Sequence, residues 1–227
     1  MDGSIFFLNV IFFRCWRRGG FHLGIRVRNF ITLCSITIDF LCRNTIEFFH
    51  LGIGAHQCLT ERKSERKFDS KPLPPQILSD LLYAADGISR PDGRKTVPTA
   101  RNLQSQEVYA AMADGLYLYH PKTHSLDLVK AGDIREKCGM QAIHKTAPIV
   151  LIYVGDVSKI GKNAAEKVFY AANHAGYASQ NVYLYCTSAG LATVVCGLVN
   201  KPELEKVMEL PGTKRVQLTQ PVAYPAK

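Results

Sequence analysis

The chain has 227 residues, 47% of them hydrophobic and 21% charged, a balance that excludes a disordered polymer and suits one domain with a full core. Its net charge of +9 favours anionic ligands without choosing among small anions, nucleic acid and anionic membrane. No nucleic-acid recognition motif appears, and Tyr and Phe do not interleave with Lys or Arg in one stripe, so no nucleic-acid partner is expected.

Residues 1–55 read unlike the rest. Ile5–Leu8 and Ile11–Phe13 flank Asn9, and Arg14, Arg17 and Arg18 follow. This apolar stretch falls short of the roughly 20 residues that a bilayer span needs. Its positive charges come after the apolar run, the reverse of a signal peptide. The run Phe30–Cys42 is interrupted by Asp39 and is also short. Two readings stand: a disordered or interfacial extension, or upstream sequence read ahead of a true start further along. Either makes a membrane span an unexpected feature, with 1–55 an atypical extension and 56–227 the folded domain. The seven cysteines, Cys15, Cys34, Cys42, Cys58, Cys138, Cys186 and Cys196, form no CxxC pair and are odd in number. That argues against a zinc site or a disulfide framework and for reduced, cytoplasmic thiols.

From His56 the chain becomes orderly. Arg62-Lys63-Ser64-Glu65-Arg66-Lys67-Phe68 packs four cations and a hydroxyl beside an aromatic of buried type. Two guanidinium forks and a Ser hydroxyl suit a phosphate; the plainer alternative is a solvated basic turn. Pro74 and Pro75 open a helix with Leu78, Leu81, Leu82 and Ala85 on one face, and Gly87 stops it. Arg90-Pro91-Asp92-Gly93-Arg94 carries turn chemistry. Strands are expected at Glu107–Met112, Leu116–Tyr119 and Leu126–Val129, with Asp114-Gly115 as the first hairpin turn. Ala147–Val154 is an apolar run of buried-strand type. A long helix over Asn163–Ala189 precedes strands at Leu191–Leu198 and Arg215–Thr219. Helices mixed with a mainly antiparallel meander predict an α+β fold. On the long helix, Ala171, Ala172, Ala175, Gly176 and Ala178 present little bulk, which fits either core packing or a seam with a second copy.

These residues resemble the flavin-dependent nitroreductase family, and most of all its short members, related to the azoline dehydrogenases that oxidise thiazolines and oxazolines in peptides. Five blocks in order carry the resemblance, from about Cys58 to Lys227. They are Arg62-Lys63-Ser64-x-Arg66-x-Phe68 with Pro72-Leu73; Leu82–Pro91 running into Pro98–Gln104; Asp114–Tyr119; Gly176-x-x-x-Gln180-Asn181-x-x-Leu184 with Ala189–Thr193; and Pro221–Pro225. The resemblance implies a mainly antiparallel sheet flanked by helices and a homodimer seamed along the small-residue helix. It also implies flavin mononucleotide (FMN) at each of two sites between the subunits. Arg62, Ser64 and Arg66 match positions that hold phosphate and ribityl oxygens, and Lys63 matches a flanking contact. Pro98, Thr99, Ala100 and Asn102 match the segment that the partner lays against the flavin ring, with Gln104 beside it. Ala189, Gly190 and Leu191 match the turn whose backbone passes close to the flavin, where a missing side chain leaves room. Asn102 and Gln104 also read as a pair of loop-stabilising amides.

The implied activity is NAD(P)H-dependent: hydride passes through FMN to a nitroaromatic, quinone or similar small-molecule acceptor in a ping-pong cycle. The alternatives are an azoline dehydrogenase acting on a peptide, and a flavin-binding module without turnover. No side chain is nominated as catalytic and no metal site is expected, since Pro121 between His120 and His124 spoils their i, i+4 spacing. Cys138 and Cys186 read as packing residues. The chain departs from the family at Ala223, where Gly is usual, and at Cys196, where Arg is common. It also departs at His174, where short members often carry Asp on the helix read as a dimer face. Lys214 and Arg215 are candidate substitutes for a basic phosphate ligand that longer relatives carry after the Tyr-Pro.

Overall fold

A computed structural model describes Ile38–Asp39 and residues 54–227; most of the atypical 1–55 segment lies outside these residues. Eight strands form one antiparallel sheet. In chain order they are β1 (Ile38–Asp39), β2 (Phe68–Asp69), β3 (Gln106–Ala111), β4 (Gly115–His120), β5 (Ser125–Ala131), β6 (Ile149–Asp156), β7 (Ala192–Thr193) and β8 (Lys214–Pro225). Their spatial order is β1-β5-β4-β3-β6-β8-β2, with β7 also on β8. The helices are α1 (Ala55–Glu61), α2 (Pro75–Asp86), α3 (Ile143–Thr146), α4 (Ala164–Ser188) and α5 (Lys201–Val207). This is an α+β fold.

The centre is β6, all eight of whose residues are buried. Successive strand side chains point to opposite faces, and β6 divides its apolar residues accordingly. Ile149, Leu151 and Tyr153 face α2 and α4, where they meet Leu81, Leu82, Ala85, Ala175, Ala178 and Val182. Val150, Ile152 and Val154 face α5 and pack with Tyr109, Leu116, Leu204 and Met208. Helices on both faces explain why this strand is a continuous apolar run in an antiparallel sheet, where alternation is the usual pattern. Tyr153 keeps its hydroxyl in the core by donating to Gln220 Oε1 at 2.6 Å.

Two expectations shift. The first hairpin turns on Ala113-Asp114, because Met112 N–H already donates to the Gly115 carbonyl at 2.8 Å. Gly115 opens β4, and a Cβ there would lie 2.8 Å from the Lys130 carbonyl of the neighbouring strand, so close approach demands the glycine. The strand expected over Leu191–Leu198 is regular only at Ala192–Thr193, while β8 runs on to Pro225. Three short segments share the outer edge of β8. β2 takes Tyr224–Pro225, β7 takes Val222–Ala223, and Cys196 bridges Thr219.

Truncating the central strand should be costly. Leu151→Ala is expected to lower stability by about 2–5 kcal/mol, read from the urea midpoint at unchanged m; a change under about 0.5 kcal/mol would contradict this account of the core.

Candidate functional site

The cationic run crosses the surface between α1 and β2 without regular structure of its own. Backbone bonds pin it at both ends: Glu65 N–H to the Thr193 carbonyl at 3.0 Å, and Ala226 N–H to the Lys67 carbonyl at 2.9 Å. The Glu65 carboxylate folds back to accept from the Arg66 and Lys67 amides at 2.9 and 3.0 Å. It also draws Lys63 Nζ to 3.4 Å. Those backbone bonds, chiefly from Lys67, hold the Glu65 carboxyl below its ordinary pKa. Arg62 lays its guanidinium 5.2 Å over the Tyr183 ring of α4. Arg66 lies close enough to Cys196 to oppose the upward push of burial on that thiol. Among the described residues neither Arg62 nor Arg66 has a carboxylate partner.

Tyr183 is the hinge pin of this cradle. Its oxygen accepts from Val195 N–H at 2.9 Å and sits 2.8 Å from Ser64 Oγ. Two hydroxyl groups share one bond there, so whichever donates, one O–H proton is left for a third partner. Ser64 is exposed. Unpaired guanidinium groups with a spare hydroxyl donor are a donor set fit for a phosphate dianion.

The second element is the segment Pro98–Gln104, which makes a short 3-10 turn at Ala100–Asn102. Arg101, Asn102 and Gln104 have φ of 52°, 53° and 44°. Asn tolerates this left-handed region, but Arg and Gln do not, and such residues cost on the order of 1–3 kcal/mol each. Gln104 N–H donates to Thr99 Oγ1 at 3.0 Å, and its amide NH2 donates to the Gly93 carbonyl at 3.0 Å and to Asn102 Oδ1 at 3.3 Å. Asn102 and Gln104 therefore do brace the loop, as their plainer reading expected. Beneath it, His174 of α4 accepts Ala100 N–H on Nε2 at 2.9 Å and meets Ser105 Oγ with Nδ1 at 2.9 Å. A backbone amide can only donate, so Nε2 is unprotonated and Nδ1 carries the hydrogen. Burial lowers the His174 pKa, which keeps the ring neutral. Expected on the dimer face of α4, His174 instead turns inward and is 1% exposed.

The third element is the end of α4. Leu191 N–H reaches back to the Cys186 carbonyl at 2.8 Å and Gly190 N–H to Thr187 at 3.4 Å, a Schellman closure with Gly190 at φ 66°. The glycine is required by that backbone angle; a Cβ would meet no atom within 4 Å, so the missing side chain is not relieving a contact inside this chain. Leu191 turns into the core, while Ala189 is half-buried beside the turn.

The small residues of α4 divide between its two faces. Ala171, Ala175 and Ala178 are buried in the chain's own core. Ala172 and Gly176 lie on the outer face with Val168, Phe169 and Tyr177, exposed by 73%, 60% and 48%.

Other candidates fall away from the site. Lys214 pairs with Glu107 at 2.7 Å and Arg215 with Glu205 at 3.9 Å. Lys214 stands ten residues along β8 from Tyr224, about 33 Å, so neither cation lies beside the cradle of its own chain. His120 pairs with Asp127 at 2.9 Å, whereas His124 bonds Ser79 and Tyr119. No His, Cys, Asp and Glu grouping among the described residues could hold a metal ion. Burial pushes the Cys138 thiol up to about 12 and the Cys186 thiol also upward. Both are fully packed. Ala223 is buried in β8 opposite Ala192.

The antiparallel sheet flanked by helices is the α+β fold of an oxidoreductase family. Residues 59–224 match the Nitroreductase family, and the chain belongs to it. A protein of Methanocaldococcus jannaschii provisionally named a nitroreductase is 31% identical over 169 residues, which are 70% of this chain and 85% of the relative. A crystal structure provisionally named a nitroreductase, from Ralstonia eutropha, is 34% identical with a TM-score of 0.77, covering 84% of this chain and 90% of that one. The Escherichia coli microcin synthetase McbBCD complex with truncated pro-MccB17 bound is alike in fold alone. It is 19% identical, with a TM-score of 0.64 over 77% of this chain and 74% of that one.

Two outcomes test this geometry. Tyr183→Phe should lower stability by about 1–2 kcal/mol, because Val195 N–H loses its acceptor, and it should weaken anion binding at the cradle; unchanged urea midpoint and affinity would contradict the pin. The acid limb of stability tests His174. Its folded pKa lies below the ordinary 6.5, so as pH falls below 6.5 the unfolded chain takes up the proton first. Stability is then full above that pH and lost beneath it, and His174→Gln should make the loss between pH 6.5 and 5 less steep in pH-dependent urea melts.

Proposed function

We propose that the protein is an FMN-dependent NAD(P)H oxidoreductase working as a homodimer, with a site built from both subunits. The observation that carries the reading is the cradle: Arg62 and Arg66 without carboxylate partners among the described residues, beside the spare hydroxyl proton of the Ser64–Tyr183 pair. Arg62, Ser64 and Arg66 would hold the FMN phosphate and ribityl oxygens, with Lys63 flanking them. When bound there, FMN would supply the hydride chemistry between NAD(P)H and a small acceptor such as a nitroaromatic or quinone. The residues of the chain bind, orient and shield. Pro98, Thr99, Ala100, Asn102 and Gln104 would lie against the ring from the partner subunit, and the Ala189–Leu191 turn would pass its backbone beside it.

One feature of α4 supports sharing the site. The outer face of α4 carries Val168, Phe169, Ala172, Gly176 and Tyr177, an apolar strip with two small residues that lets a second helix approach. No helix among the described residues is long and apolar enough to cross a membrane, and the buried free thiols Cys138, Cys186 and Cys196 suit a reducing, cytoplasmic setting. We assign the activity to 56–227, with 1–55 dispensable to it.

The fold likeness to the McbBCD complex keeps an azoline dehydrogenase as the second reading; a flavoprotein that oxidises a thiazoline peptide and ignores NAD(P)H would establish it. The test of the first is the visible spectrum of the purified protein, full chain beside 56–227, before and after anaerobic NADPH or NADH. Both are expected to be yellow and to bleach. Colourless protein that takes up no added FMN would overturn the proposal.

A further inference from the structure

We infer that His174 is the positioning residue of the Thr99–Ser105 turn, holding its left-handed backbone in place through a single imidazole tautomer. The turn needs a holder. Arg101 and Asn102 are both at positive φ, and the buried His174 side chain takes Ala100 N–H at one ring nitrogen and Ser105 Oγ at the other. The two bonds straddle the strained residues, one on each side. A stack completes the clamp: the Tyr170 ring lies on His174 at 6.2 Å and 25°, and Arg101 lies 5.8 Å over Tyr170 while reaching Glu166 at 3.6 Å. The turn is thus gripped from its buried side by the imidazole and from its exposed side through its own Arg101 side chain, whose partners Glu166 and Tyr170 lie with His174 on successive turns of α4.

The chemistry of the grip is specific to neutral imidazole. An acceptor is needed at the reach of Nε2 for the Ala100 amide, and a donor at the shorter reach of Nδ1 for Ser105. Glutamine can place an oxygen near the first position and leaves the second unfilled. Asparagine reaches only the second. Aspartate accepts but cannot donate. The role in catalysis rests on the proposed function, since the clamped turn is the one assigned to the flavin ring; the positioning itself does not depend on that assignment.

The experiment is hydrogen exchange resolved at single amides in the full chain, comparing the wild type with His174→Asn and His174→Gln. Peptides of β6 report whether each variant is folded, and FMN affinity is titrated separately. His174→Asn should speed exchange at the Ala100 amide at least tenfold with β6 still protected, and raise the FMN dissociation constant by a similar factor. His174→Gln should restore Ala100 protection to within about threefold of wild type, because the acceptor at the longer reach is what counts. Undiminished protection of Ala100 in folded His174→Asn would overturn the inference. If His174→Asn also exposes β6, His174→Gln decides alone: a protected Ala100 amide supports the clamp, and an exposed one refutes it. Wild type that binds no FMN would sink the proposed function while leaving the exchange result to stand on its own.

Discussion

Everything at the candidate site hangs from α4. Its inner face is locked into the core by Ala175, Ala178 and Val182 against the central strands, and the helix is therefore a rigid ruler. From that ruler three things project at fixed heights. His174 holds the strained turn, Tyr183 joins Ser64 to the Val195 backbone, and the Schellman end at Gly190 starts the path to β7. Each is a polar or backbone requirement satisfied by a helix that is itself positioned by apolar packing. A helix less well buried would let all three drift together.

The energetics follow the same division of labour. The sheet and its two helical layers supply stability through β6, while the strained turn spends some of it. A positive-φ Arg and Gln persist only where the surroundings over-determine them, and the hydrogen bonds to His174, Thr99 and Gly93 do so here. The cradle differs: its backbone is pinned at Glu65 and Lys67, while among the described residues its Arg62 and Arg66 guanidinium groups have no carboxylate partner. That contrast suits a pocket with a pre-formed end for a flat ring and a more adaptable end for a charged group.

Much of this was legible in the sequence, because it rests on short-range pattern. The helix over α4, the buried strand β6, the Pro-initiated α2 and the cationic run with its Ser64 were all readable from spacing, and the family resemblance placed the same segments at a flavin. What stayed hidden depends on partners distant in the chain. The length of β8 and the shortness of β7 follow from three segments sharing one edge, which no local window contains. His174 lies one residue from the small-residue stripe, and only the packed helix shows that it faces inward. Tyr183 sits inside a recognised block, yet its link to Ser64 spans 119 residues. Lys214 and Arg215 looked available because their acidic partners, Glu107 and Glu205, come from other elements.

The central claim is that one working site takes its cradle from one subunit and its strained turn from the other. Complementation tests it most directly. A cradle variant, Arg62→Glu with Arg66→Glu, and a turn variant, Asn102→Trp, would each be inactive as homodimers. Co-expressed with different tags and purified as mixed dimers, they contain one site with both lesions and one site with neither. The account predicts that mixed dimers regain about half the wild-type flavin content and NAD(P)H turnover, as two-fold symmetry requires. Mixed dimers as empty and inactive as their parents would show that cradle and turn serve the same site from the same chain, and would contradict it.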